Sequence, residues 1–179
     1  MKRLLLSLGL GCIALAPLSA GRAVAEDLPV RKAGLWEMKV VKTGSSIPDM
    51  TMQHCTDETT DKKMTTQLSP MAKQNCTKND TQKTATGYVS DSVCNVGTTS
   101  ITSHTEIVGD FNSGYTVMTA SHSDKGPGGK PLDTTTKIEA KWLGACKPDQ
   151  KPGDIVMPGG MKMNIKDMEK LKGLLPKAN

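Results

Sequence analysis

The sequence predicts a mainly β domain: an antiparallel curved sheet or open barrel of about six or more strands, with small inserted helices and a C-terminal helix. Three observations predict it. Two segments alternate apolar and polar residues with a period of two. Several further segments are rich in Thr, Val and Ile and end at turn residues. Four of the five cysteines lie beyond residue 25, in a chain whose aromatic content is only two Trp, two Tyr and one Phe. Such a thin core benefits from cross-links.

The first alternating segment runs from Gly34 to Lys42, with Trp36, Met38 and Val40 against Glu37 and Lys39. Thr134 to Leu143 sets Ile138, Ala140 and Trp142 against Lys137, Glu139 and Lys141. Both read as half-buried antiparallel strands. Met50 to His54 alternates as well, and Gly87 to Val96, Thr99 to Gly109 and Gly114 to Ser123 add three more strands. Gly44, Asn95-Val96-Gly97 and Phe111-Asn112-Ser113-Gly114 mark turns. A helix is expected over Asp57 to Leu68, capped by Thr56 or Asp57, with a second, short one starting at Ser69-Pro70 and running to Cys76. The last helix is expected from Asn164, with Ile165, Met168, Leu171 and Leu175 as its apolar stripe and Lys162, Lys166, Lys170, Lys172 and Lys177 in water. Lys147 to Gly160 reads as an ordered surface loop or a tether, and Gly126 to Pro131 as a loop between two strands.

Residues 1–25 read as a cleavable export signal. Lys2 and Arg3 precede a short apolar run from Leu4 to Leu18, and Ala23-Val24-Ala25 is an A-x-A cleavage site. The apolar run is shorter than the roughly 20 residues a membrane span needs. Cys12 reads as an apolar residue of the leader, since Gly9 stands where a lipobox has Leu. Residues 26–179 then form a single disulfide-stapled β-rich domain with a C-terminal helical tail. Three of the 23 basic residues leave with the signal and none of the 18 acidic ones, so the mature charge is +2. That balance, with few aromatics, excludes nucleic acid as a partner. No second apolar span follows.

Cys55, Cys76, Cys94 and Cys146 are an even set in an exported chain and read as two disulfides. Of the three pairings, Cys55–Cys76 with Cys94–Cys146 is expected, closing a local helical excursion and tying a middle strand to the last one. Each loop would stabilise the fold by roughly 3 to 4 kcal/mol.

Arg31-Lys32-Ala33-Gly34-Leu35-Trp36-Glu37, then Met50-Thr51-Met52 running into Cys55, resembles the opening of domain-of-unknown-function family 3617. Asp91-Ser92-Val93-Cys94, Gly109-Asp110-Phe111-Asn112, Trp142-Leu143-Gly144-Ala145-Cys146 and Lys151-Pro152-Gly153-Asp154 resemble its later blocks. The resemblance covers nearly all of the mature chain. It implies a small exported bacterial protein in the periplasm, and it carries over no catalytic residue.

The residues themselves offer no Gly-x-Ser-x-Gly elbow, no His-Glu-x-x-His and no phosphate-binding loop, so a non-enzyme is expected. Two metal constellations can be drawn. Met50, Met52 and His54 share one strand face, a soft set suited to Cu(I), and Met157, Met161 and Met163 offer a second methionine cluster. The ordinary reading is that these methionines fill an aromatic-poor core. A three-residue hairpin loop with a left-handed Gly114 would set His104 opposite His122, near Glu106, a set suited to Zn(II); the ordinary reading is solvated histidines. Trp36, Met38, Ile138, Trp142, Phe111 and Tyr115 are expected to line one side of the sheet as a ligand pocket. The expected function is therefore non-enzymatic periplasmic binding or envelope maintenance, with an apolar small molecule as partner and no cofactor. The alternative is a periplasmic copper-binding protein using Met and His ligands.

Overall fold

The computed structural model describes residues 28–46 and 48–167, without the side chains of 65–73. The expected signal segment lies outside the described residues, as do Met168, Leu171 and Leu175 of the expected last helix. Within that range the chain is mainly β. The strands are β1 (Gly34–Thr43), β2 (Met50–Thr56), β3 (Cys76–Lys83), β4 (Gly87–Val96), β5 (Thr99–Asp110), β6 (Gly114–Ser123), β7 (Leu132–Gly144), β8 (Asp154–Val156) and β9 (Lys162–Asn164), with helix α1 (Glu58–Asn75) between β2 and β3. They form one nine-stranded sheet in the order β3-β4-β5-β6-β7-β1-β2-β8-β9. All its pairings are antiparallel and it is not closed into a barrel.

The alternation read from the sequence sets the register. Trp36 pairs with Trp142, Met38 with Ala140 and Val40 with Ile138 across β1 and β7. Tyr115 then pairs with Ala140, Val117 with Ile138, and Ile107 with Val117. On the other side Trp36 pairs with His54 and Met38 with Met52. All of these project from one face. Partners on an antiparallel ladder point the same way, so one aligned register carries the face across five strands.

Helix α1 covers that face. It leaves the end of β2 and delivers the chain to β3 at the far edge, so it must cross the sheet between them. Its 18 residues span roughly 27 Å at 1.5 Å per residue. Six interstrand steps at about 4.8 Å need a similar length. Asp57 caps its start: the Asp57 carboxylate accepts from the Thr60 amide at 2.7 Å and the Thr60 hydroxyl accepts from the Asp57 amide at 3.0 Å. The helix is continuous through Pro70, which corrects the expected break at Ser69-Pro70.

That correction carries another. The disulfides are Cys55–Cys146 and Cys76–Cys94, not the expected Cys55–Cys76 and Cys94–Cys146. A helix broken at Pro70 could double back and return Cys76 to Cys55. One unbroken rod holds them far beyond the 4.4–6.8 Å between Cα atoms that a disulfide requires. Instead, Cys76 faces Cys94 across the β3–β4 ladder. Cys146 follows β7, whose Gly144 pairs with Leu35, itself the partner of Cys55.

The stretch expected to be a loop or tether, Lys147 to Gly160, contributes β8, and β9 follows directly after it. It is bound to the sheet by the Gly153 amide donating to the Cys55 carbonyl at 2.8 Å and the Ile165 amide donating to the Gly153 carbonyl at 3.0 Å. Asp154 is buried and receives Asn164 Nδ2 at 2.7 Å. Asn164 in turn accepts from the Lys166 amide at 2.9 Å, opening a helical turn over residues 165–167. Among the described residues no helix is long and apolar enough to cross a membrane.

Candidate functional site

The most buried part of the covered face holds charge. Arg31, just before β1, is 8% exposed, and Asp61, in the first turn of α1, is 5% exposed. Arg31 Nε donates to Asp61 Oδ1 at 2.7 Å and the Arg31 amide donates to Asp61 Oδ2 at 2.8 Å. The guanidinium also approaches Met38 Sδ at 3.7 Å and Met64 Sδ at 3.9 Å, and lies 5.9 Å from the centre of the Trp36 ring. Trp36 is fully buried and its indole N–H donates to the Lys32 carbonyl at 2.8 Å.

His54 completes the cluster. It is fully buried, and its Nδ1 lies 3.1 Å from Arg31 Nη2. A guanidinium can only donate. His54 Nδ1 therefore accepts, and the proton of the neutral ring sits on Nε2. That Nε2–H has no hydrogen-bond partner among the described residues. Burial, and then the Arg31 charge, hold the His54 pKa down from 6.5 to about 4, with Asp61 opposing. The ring is thus neutral at neutral pH. Burial also raises the Tyr115 hydroxyl above its usual value, with Arg31 partly offsetting it.

An acid limb of stability follows. The unfolded histidine protonates near 6.5, whereas the folded one resists until about 4. The stabilisation is complete above pH 6.5 and is lost as pH falls toward 4, by roughly 3 kcal/mol in all. His104, whose pKa its Asp91 and Glu106 neighbours raise, acts in the opposite sense but is exposed and screened. Urea midpoints measured over this range should fall steeply for the native protein and less for a His54→Phe variant. Equal slopes would remove His54 as the cause.

From the cluster a row of rings runs outward. Trp36 and Tyr115 are 5.7 Å apart, Tyr115 and Phe111 stack at 4.7 Å, and Phe111 meets the edge of Tyr88 at 6.1 Å. The row ends at a surface groove of about 370 Å³ lined by Pro29, Val30, Lys83, Tyr88, Phe111 and Asn112. Val30 is thus a wall of the groove, and the next residue is Arg31. Trp142 stands apart from the row. Its indole N–H donates to the Ala33 carbonyl at 3.1 Å, and Lys32 Nζ sits 3.6 Å over its ring. Gly34 makes this crossing possible: at φ +132° its missing Cβ would lie 2.2 Å from the Gly144 carbonyl oxygen and 2.7 Å from Trp142 Nε1.

Of the expected pocket residues, Trp36, Met38, Ile138, Trp142 and Tyr115 share the covered face, and Phe111 joins them from the β5–β6 loop by stacking. Met50, Met52 and His54 share that face too, opposite Val40, Met38 and Trp36. The soft-metal set is nevertheless a poor fit for a cation. The Arg31 charge is already on His54 Nδ1 and beside the thioether of Met38, Met52's cross-strand partner. The histidine pair is corrected. His104 pairs with Ala120 and His122 with Thr102, because Gly114 is not left-handed and pairs directly with Asp110. The Asp110 carboxylate closes the loop one residue early, accepting from the Asn112 amide and the Ser113 hydroxyl, each at 2.9 Å. The histidines remain on one exposed face but each takes its own carboxylate: His104 with Asp91 at 2.7 Å and Glu106 at 3.5 Å, His122 with Asp133 at 2.7 Å. Among the described residues no three His, Cys, Asp or Glu side chains gather as a metal site would require.

Arg31, Asp61, Met64 and Tyr88 were not among the sequence candidates. Residues 31–146 match the family described as a protein of unknown function, DUF3617. No curated protein and no solved structure matches the chain.

Proposed function

We propose, from the premise that the chain belongs to the DUF3617 family, that it is a non-enzymatic periplasmic protein that binds an apolar small molecule, serving transport or upkeep of the envelope. One observation carries this reading: the row of four rings that runs from buried Trp36 to the open groove at Tyr88 and Phe111. Small-molecule sites combine apolar and aromatic walls with a few polar groups, and here Val30, Tyr88 and Phe111 share the groove with Lys83, Asp110 and Asn112. The two disulfides fit an oxidising compartment. An apolar fluorescent probe should bind the oxidised protein with saturation and change the emission of Trp36, and a Phe111→Ala substitution should weaken it about tenfold by removing the stacked centre of the row. Absence of saturable binding to the folded protein would end this reading.

The copper alternative makes a separate prediction. Because Arg31 lies against His54, Cu(I) titration against a weak competing chelator should find no site that Met52→Leu removes. The swap nearly conserves volume, so the fold is kept. A Met52-dependent site would favour copper over the apolar ligand.

A further inference from the structure

The two disulfides sit in different surroundings. Cys55, in β2, is fully buried and is joined to Cys146. A thiol attacking this bond at Cys55 has to reach a buried sulfur. One attacking at Cys146 has to expel a thiolate from the same buried site, where burial disfavours the charge. The Cys76–Cys94 bond has neither protection. Both residues are half-buried, and their neighbours Gln74, Asn75, Thr77, Asn95 and Val96 are exposed. β3 is the end strand of the sheet, with β4 on one side and no strand on the other among the described residues. The bond also stands at a joint. Cys76 is the residue at which α1 gives way to β3. The β3–β4 register shifts between Cys76 and Lys78. The regular ladder therefore starts at Lys78, and the disulfide secures the residue before that break.

We infer that Cys76–Cys94 is a thiol–disulfide exchange site, reduced by the dithiol of a thiol–disulfide oxidoreductase, and that its reduction unlatches the C-terminal end of α1 from the sheet. A donor thiolate attacks Cys76 Sγ. A bond forms between the donor sulfur and Cys76, the Cys76–Cys94 bond breaks, and Cys94 leaves as a thiolate. The donor's second thiolate then attacks its own sulfur in the mixed disulfide and releases Cys76. The donor dithiol is oxidised to a disulfide, the cystine is reduced to two thiols by the same two electrons, and the two protons pass from the donor's thiols through water. Cys94 is the leaving group because Cys76 directly follows α1, whose C-terminal carbonyls disfavour negative charge there. With the bond open, β3 keeps its ladder to β4 from Lys78 onward. The helix is still held at its first turn, where Asp61 binds Arg31, and loses the covalent tie at its other end. The inference uses no part of the ring row or the groove and is independent of the ligand proposed above.

The test exposes the oxidised native protein, without denaturant, to dithiothreitol over a time course, stops the reaction with N-ethylmaleimide and maps the labelled peptides. Cys76 and Cys94 are expected to be labelled together, about tenfold or more faster than Cys55 and Cys146. Brief treatment with reduced glutathione, which has no second thiol, should leave the mixed disulfide on Cys76. In the protein with only this bond reduced, amide hydrogen exchange should quicken over residues 70–78 while β1, β2 and β7 keep their protection. A Cys76→Ser, Cys94→Ser double variant should show the same pattern. Reduction of Cys55–Cys146 first, or of both bonds at one rate, would overturn the exchange site. Glutathione found on Cys94 would overturn the assignment of the leaving sulfur, and unchanged exchange over residues 70–78 after selective reduction would overturn the latch. The reagent experiments on the unsubstituted protein decide the matter even if the double variant fails to fold.

Discussion

Replacing Asp61 with alanine should lower the unfolding free energy by about 3 to 5 kcal/mol, among the largest losses available to a single residue here. The substitution leaves the Arg31 guanidinium in a buried site without its counter-charge and strands the Arg31 amide, which also donates to Asp61. Coulomb attraction alone would not produce so large a loss. The cost comes from a desolvated charge left unpaired. Joint replacement of Arg31 and Asp61 by Met and Leu should therefore be milder than Asp61→Ala, since no charge is then buried. Urea unfolding of the three proteins checks the order. An Asp61→Ala protein as stable as the native one would mean that Arg31 reaches water when its partner is removed. The exposed pair Lys62–Glu58 is the internal contrast, with side chains 58% and 72% exposed. Lys62→Ala should cost no more than about 0.5 kcal/mol.

The second large effect separates the two disulfides. Cys55 and Cys146 lie 91 residues apart, Cys76 and Cys94 only 18. The chain-entropy relation gives about 4.5 kcal/mol for the longer loop and about 3 for the shorter. The Cys55→Ser, Cys146→Ser double variant should thus be the less stable by urea midpoint. It also frees the junction at which β8 is tied to the Cys55 carbonyl through Gly153. Non-reducing peptide mapping should recover Cys55 linked to Cys146. Recovery of Cys55 linked to Cys76 would contradict the continuous helix as well as the pairing.

Most of the sheet is legible in the sequence, for a physical reason. β1, β2 and β7 alternate apolar and polar residues because each turns one face inward, while β4 to β6 declare themselves by β-branched residues bounded by turns. β3 is an edge strand, Cys-Thr-Lys-Asn-Asp-Thr-Gln-Lys, exposed over most of its length, so burial selects no alternation and no pattern results. β8 and β9 are three residues each, too short for a period to register. Pro70 misleads because serine followed by proline is the usual opening of a helix. Here the helix runs on through it, and the disulfide pairing depends on that one point. The apolar members of the candidate site follow from alternation. Its charged members do not, because Arg31 and Asp61 are 30 residues apart and a charged residue is by default a solvated one. Only a fold that lays α1 across β1 and β2 makes them partners. His54 could be placed on the right face from sequence, but its chemistry could not, since that depends on Arg31.

The strand order also has a consequence for how the chain reaches this state. Strands β3 to β7 are sequential neighbours, each joined to the next by a turn, so they can assemble by local closure alone. β1 cannot follow suit. It sits between β2 and β7, and its Trp36 waits for Trp142. Bringing the two together closes a loop of more than 100 residues, an entropic expense met only after the local meander offers a docking edge. The first strand in the chain is then the last to find its full complement of neighbours. In the interval the β1–β2 hairpin carries an exposed Trp36 and a free Cys55 close in sequence to Cys76. If α1 forms before the disulfides close, its length holds that thiol away from Cys76, and the helix then guides oxidative folding as well as covering the finished sheet.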